Sequence, residues 1–146
     1  MKIKILIIVS LIISGLMAYL FETHSKGFVI HAPYGTNEYI YLKDIQGSMS
    51  DGGIALGFFG LICLFIGVIL MFIKNTTYFI RVGFIVFLFL LLSFMMLEGG
   101  AIDQLIINTI QYDHNIYLIL WIISFTLYTI FLSILNISQN HKQDTF

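Results

Sequence analysis

Four apolar runs, Ile3–Phe21, Ile54–Ile73, Tyr78–Leu97 and Ile116–Leu135, each hold about twenty residues. As an α-helix rising about 1.5 Å per residue, each reaches across a hydrocarbon layer of roughly 30 Å. Such a layer offers no water to open backbone groups, so a single chain with four runs of this kind is confined to helices there. Composition agrees: 10% of the chain is charged, where a soluble domain carries about 25%. The expected fold is an all-α integral membrane protein, a four-transmembrane-helix bundle. The 146 residues make one membrane domain, with crossings over 3–21, 54–73, 78–97 and 116–135, outer loops over 22–52 and 98–115, and a tail over 136–146. A cleaved signal peptide is the competing reading of the first run. That run is long for such a segment, and cleavage after Ala18 puts Leu16 where a small residue is required. An uncleaved first helix is expected.

Charge orients the bundle. Lys2, Lys4, Lys74, Arg81 and Lys142, five of the seven basic residues, fall on one side of the four crossings. Seven of the eight acids, Glu22, Glu38, Asp44, Asp51, Glu98, Asp103 and Asp113, fall on the other with Lys26 and Lys43. The bias of Lys and Arg toward the cytoplasm gives cytoplasmic N- and C-termini in a cell (inner or plasma) membrane. The abundance of Ile, Phe, Asn and Lys suggests an AT-rich, bacterial genome.

Helix 2 carries Gly53, Gly57, Gly60 and Gly67 at offsets of 4, 3 and 7. At about 100° per residue they share a stripe roughly 80° wide, which lets another backbone approach closely. Ser10, Ser14 and Ala18 form a matching small surface on helix 1, so helix 1 against helix 2 is the expected close contact. A dimer seam through the same stripe is the alternative. Helix 3 is bulky and is expected to face lipid, with Arg81 snorkelling to the headgroups. The hydroxyls of Ser124, Thr126, Thr129 and Ser133 are expected to bond within helix 4 or to a neighbour. Trp121 and Tyr117 suit an outer aromatic belt.

The outer loops carry their own pattern. Phe28–Ala32 reads as a short strand, Pro33–Asn37 as a turn, and Glu38–Lys43 alternates, with Tyr39, Tyr41 and Lys43 on one face. A small extracytoplasmic β-hairpin is expected, followed by a flexible Gly47–Gly53 segment. Gly99-Gly100 stops helix 3. Ile102, Leu105, Ile106 and Ile110 then line one face of a short interfacial helix, opposite Asp103, Gln104, Asn108 and Gln111. Tyr34, Tyr39 and Tyr41 are the candidate partner-surface residues.

Signals for chemistry are weak. A net charge of −1 argues against a nucleic-acid partner. Cys63 stands alone, so no intrachain disulfide or paired-cysteine redox site exists. His24, His31 and His114 share the outer side with several carboxylates, but without metal-ligand spacing. No catalytic, cofactor or metal residues are assigned. No Asp, Glu, Lys or His lies in the middle of any span, whereas ion-coupled transport generally needs an ionisable group there. In size and helix count the chain resembles the four-helix multidrug exporters, which carry a carboxylate within helix 1; residues 3–21 hold none, and no family is assigned. The expected function is a non-enzymatic membrane accessory or scaffold protein that presents an extracytoplasmic surface to a membrane or envelope protein. The alternatives are an oligomeric pore or transporter subunit, or immunity to a membrane-active toxin.

Overall fold

The computed structural model describes residues 2–31, 38–44, 51–97 and 102–143. These form α1 (Lys2–His24), β1 (Val29–His31), β2 (Tyr39–Tyr41) with a single 3₁₀ turn at Leu42–Asp44, α2 (Asp51–Phe72), α3 (Thr76–Leu97), α4 (Ile102–Asp113) and α5 (Ile116–Gln143). The molecule is mostly helical, with one small antiparallel sheet. Three helices are long and apolar enough to cross a membrane, Lys2–His24, Ile54–Phe72 and Ile116–Asn140, and Thr76–Phe89 is a shorter apolar stretch. Their outward faces are as apolar as their packed ones. Phe58, Phe65, Phe72, Ile85 and Phe89 are all more than half exposed, a surface that water tolerates poorly and lipid tolerates well.

The ends of the elements differ from the apolar runs for local reasons. α1 continues past Phe21 through His24, because the Thr23 hydroxyl donates to the Tyr19 carbonyl at 3.0 Å and Ser25 closes the last turn through the Phe21 carbonyl. Glu22 is therefore a helix residue, not the first residue of a loop. α5 continues past Leu135 to Gln143, since no Gly or Pro interrupts that stretch. Asn75, which reads in sequence as part of a glycosylation sequon, caps α3: its side-chain carbonyl accepts the Tyr78 N–H at 3.1 Å. The expected Pro33–Asn37 turn, the Gly99-Gly100 stop and residues 47–50 of the flexible segment lie outside the described residues.

α1 is the central helix. It lies along α2 and α5, while α3 touches α2 and α5 over less area. The α1–α2 seam is set by glycine. A Cβ on Gly60 would sit 2.5 Å from the Gly15 carbonyl oxygen and 2.8 Å from the Tyr19 nitrogen, and a Cβ on Gly15 would sit 2.7 Å from the Gly60 oxygen. Backbone meets backbone there, and only the missing side chains allow it. Above and below, Gly57 faces Glu22 and Gly67 faces Ile12. The α1 row toward α2 thus runs Ile12, Gly15, Ala18, Tyr19 and Glu22. Ser10 and Ser14 are buried but fall more than about 100° around α1 from the centre of that row. Ser10 bonds to the Leu6 carbonyl at 2.7 Å.

Beside its packing on α1, α5 meets α2 and α3 through aromatic rings. Phe59 of α2 sits edge-on to Trp121 at 5.7 Å and to Phe125 at 5.6 Å, and Phe87 of α3 stacks on Phe125 at 5.9 Å. Trp121 is 6% exposed, so it belongs to the core, not to an outer belt. Phe59 offers an aromatic edge at its height, and burying the indole there removes a large apolar surface. The Tyr128 hydroxyl donates to the Gly83 carbonyl at 2.9 Å, fastening α5 to α3. The hydroxyls of Ser124, Thr126, Thr129 and Ser133 all donate to carbonyls of their own helix.

The seam yields a graded expectation. Gly60→Ala pushes a methyl into two backbone atoms, whereas Gly67→Ala meets the flexible Ile12 side chain at 2.7 Å. Overpacking of the first kind costs about 1–3 kcal/mol. Thermal unfolding in detergent should show Gly60→Ala well below Gly67→Ala in midpoint. Equal midpoints would contradict the seam.

Candidate functional site

The chain's polar chemistry gathers where α1 ends, the hairpin stands and α4 turns into α5. The hairpin pairs Val29 with Tyr41, Ile30 with Ile40, and His31 with Tyr39. Ile30 and Ile40 share one face. Val29, Tyr41, His31 and Tyr39 share the other, and contacts to α4 come from this second face.

Three contacts pin the hairpin. The first is Thr109, fully buried in the middle of α4. Its hydroxyl accepts the Val29 N–H at 2.9 Å and donates to the Leu105 carbonyl at 2.7 Å. Thr109 is not among the residues the sequence pattern singles out, although it lies near the centre of the apolar face formed by Ile102, Leu105, Ile106 and Ile110. A lone hydroxyl at the centre of an apolar stripe was the available signal.

The second contact is a relay. The Tyr41 hydroxyl donates to Asp113 Oδ1 at 2.9 Å, the Asn115 side-chain amide donates to Asp113 Oδ2 at 3.1 Å, and the Asn115 side-chain oxygen Oδ1 accepts the Leu118 N–H at 3.2 Å, capping α5. The turn between α4 and α5 is made at His114, which adopts a φ of 47°, a conformation His tolerates better than most residues. Tyr39 stacks on Tyr112 beside this relay.

The third contact ties the hairpin to α1. Lys43 reaches back to donate to the Glu22 carbonyl at 3.0 Å and pairs with its carboxylate at 3.4 Å. Its stem crosses Gly27, where φ is +88° and any Cβ would lie 3.2 Å from the lysine carbons. Glycine is required there by both conformation and space. Lys26 sits over the Tyr41 ring at 5.1 Å. Below Glu22, a notch of about 270 Å³ runs between α1 and α2, floored by Gly57 and walled by Tyr19, Phe58 and Leu61.

Two candidate partner residues, Tyr39 and Tyr41, are half-buried in these contacts, and Tyr34 lies outside the described residues. Gly53 belongs to the first turn of α2. The three histidines expected on the outer side do not converge: His24 bonds to Thr23, His31 packs on Tyr39, and His114 meets the Ile110 carbonyl. Among the described residues no group of three His, Cys, Asp or Glu side chains is placed to hold a metal ion. No protein-family model, curated protein or solved structure matches the chain.

The bond to Asp113, with desolvation and the Asp113 and Asp44 charges, holds the Tyr41 phenol above its ordinary 10.0. The neighbouring Tyr112 phenol, with desolvation, does the same for Tyr39. Folding then favours the protonated phenol. The stabilisation is complete below pH 10.0 and is lost as pH rises through the raised pKa. The stability advantage of the native chain over Tyr41→Phe should be constant below that pH and shrink above it. A constant advantage throughout would contradict the Tyr41–Asp113 bond.

Thr109 gives a second test. Thr109→Val keeps the shape but strands the buried Val29 N–H, at a cost of about 1–3 kcal/mol. Amide exchange at Val29 should accelerate in Thr109→Val and recover in Thr109→Ser. Unchanged exchange in Thr109→Val would exclude the pin.

Proposed function

We propose that this chain is a non-enzymatic accessory or scaffold protein of the cell (inner or plasma) membrane, whose outer module recognises a second membrane or envelope protein. In this reading α1, α2, α3 and α5 cross the bilayer as one domain with both termini cytoplasmic. The alternation of helix direction supports it. Lys2, Lys4 and Lys74 gather at one end, where Lys4 bonds to the Lys74 carbonyl at 2.8 Å, and the hairpin and α4 stand at the other.

The observation that carries the recognition reading is the open edge of β2. Leu42 N–H bonds to the Phe28 carbonyl at 2.8 Å, so the Val29 N–H points away from β2, and Thr109 takes it. The outer side of β1 is closed by α4. Tyr39 and Tyr41 turn their N–H groups to the opposite side, where β2 has no strand neighbour among the described residues. A short strand fixed to a rigid base and open on one edge suits strand addition by a partner. The glycine stripe favours this reading over an oligomeric pore, because Gly57, Gly60 and Gly67 already meet α1 of the same chain.

Tyr39→Pro removes an outward N–H while sparing the ladder to β1. The native chain, purified in mild detergent, should carry a second protein in fixed ratio. Tyr39→Pro should lose it at least roughly tenfold, and Tyr39→Phe should keep it. A native chain that purifies alone, or a partner indifferent to Tyr39→Pro, would overturn the reading.

A further inference from the structure

The end of the molecule opposite the hairpin holds a different kind of cavity. A polar pocket of about 380 Å³ opens between the start of α1, the start of α3 and the last turns of α5. Lys2, Lys4, Thr76, Ser138 and Gln139 line it, with Ile3 and Leu135 as its apolar side. Two ammonium groups, two hydroxyls and an amide thus converge, and among the described residues no carboxylate is in the lining.

We infer that this pocket binds the phosphate group of an anionic glycerophospholipid of the adjoining leaflet. The inference rests on the membrane reading above and goes beyond it. Three observations support it. First, Lys4 is held in position: its ammonium donates to the Lys74 carbonyl at 2.8 Å and lies 5.2 Å from the centre of the Phe79 ring. An ammonium has three donors, so this fixed geometry leaves others to point into the pocket. Second, the α5 hydroxyls divide into two sets. Ser124, Thr126, Thr129 and Ser133 each donate to a carbonyl of their own helix. Ser138 makes no such bond among the described residues, and neither does Thr76, so both hydroxyls remain available on the pocket wall. Third, α1 and α3 both begin at this pocket, so first-turn N–H groups without intrahelical partners lie beside the lysines; α2 and α5 end at the same end, so the helix starts add donors and no net dipole. The apolar residues Ile3 and Leu135 continue into the helix surface and give the acyl chains a path that a free phosphate would not use. Basic pockets between helices at the membrane boundary suit anionic headgroups for these reasons.

Native mass spectrometry of the full chain in detergent tests the assignment, with dioleoyl phosphatidylglycerol, dioleoyl phosphatidylcholine and glycerol 3-phosphate as probes. The native chain should retain one phosphatidylglycerol at least roughly tenfold more tightly than phosphatidylcholine, and glycerol 3-phosphate only weakly. Each lysine lost should weaken the preference roughly fivefold, in Lys2→Gln alone and further in Lys2→Gln/Lys4→Gln. Because Lys4 also fastens the turn between α2 and α3, the exposed Lys2→Gln is the variant expected to keep the native fold. Equal retention of the two lipids, or a preference unchanged in Lys2→Gln, would overturn the site. Equal affinity for glycerol 3-phosphate would assign the pocket to soluble phosphates and overturn the lipid. Carbonate extraction separates the two levels: a chain that stays in the membrane without headgroup preference refutes the pocket alone, and a chain that carbonate releases refutes the membrane reading beneath it.

Discussion

The backbone approach of Gly15 to Gly60 is the contact on which the remaining structure depends. Apolar helices in lipid gain little from hiding side chains, since lipid is as apolar as leucine. They associate by close packing, and close packing requires somewhere for two backbones to meet. Here a carbonyl of each helix occupies the space where the other would carry a side chain. That one crossing fixes the rotation of α1 about its axis. The rotation in turn brings Ile12 to Gly67, Glu22 to Gly57 and Ala18 to Gly60. With one face of α1 committed to α2, another is left for α5, and α1 becomes the central helix.

The same rotation positions the hairpin and α4. Glu22 lies about one turn beyond Ala18 and is held against α2, so its carboxylate is a stationary anchor for Lys43. From Lys43 the hairpin runs to Tyr41 and Asp113, then through Asn115 to the first turn of α5. α5 closes the circuit, since it packs back on α1. A two-stranded hairpin is barely stable alone. This one is supported by polar contacts to α1 and α4, and its open strand edge therefore has a fixed orientation. The helices and the hairpin are mechanically one object.

Much of this was legible in the sequence. The apolar runs matched the long helices, since length and hydropathy alone define such segments. Alternation at Tyr39, Ile40 and Tyr41 marked a strand, and the Ile102, Leu105, Ile106 and Ile110 spacing marked α4. The glycines of α2 declared a seam. What stayed hidden was pairing. Gly15 was overlooked beside the regular Ser10, Ser14 and Ala18 spacing, because several faces of α1 carry small residues and only the crossing geometry selects one. Lys43 and Glu22 are separated by a long loop, and charge counting placed them on the same side without joining them. Thr109 and Asn115 read as ordinary polar residues until the elements they fasten were in place. Trp121 read as a boundary residue because its sequence position is near the end of a span, whereas its partner, Phe59, lies on a different helix.

The most direct test of this account is a cysteine pair across the seam. In a Cys63→Ala background, Gly57→Cys and Glu22→Cys would face each other: a Cβ on Gly57 lies 3.2 Å from the Glu22 Cβ, a few tenths of an ångström inside the usual disulfide range of about 3.5–4.5 Å. Oxidation should close an intramolecular bridge, seen as a monomer of altered mobility that reverts on reduction. A disulfide-linked dimer would show that the glycine stripe joins two chains, and the absence of any bridge would show that α1 and α2 do not meet as described.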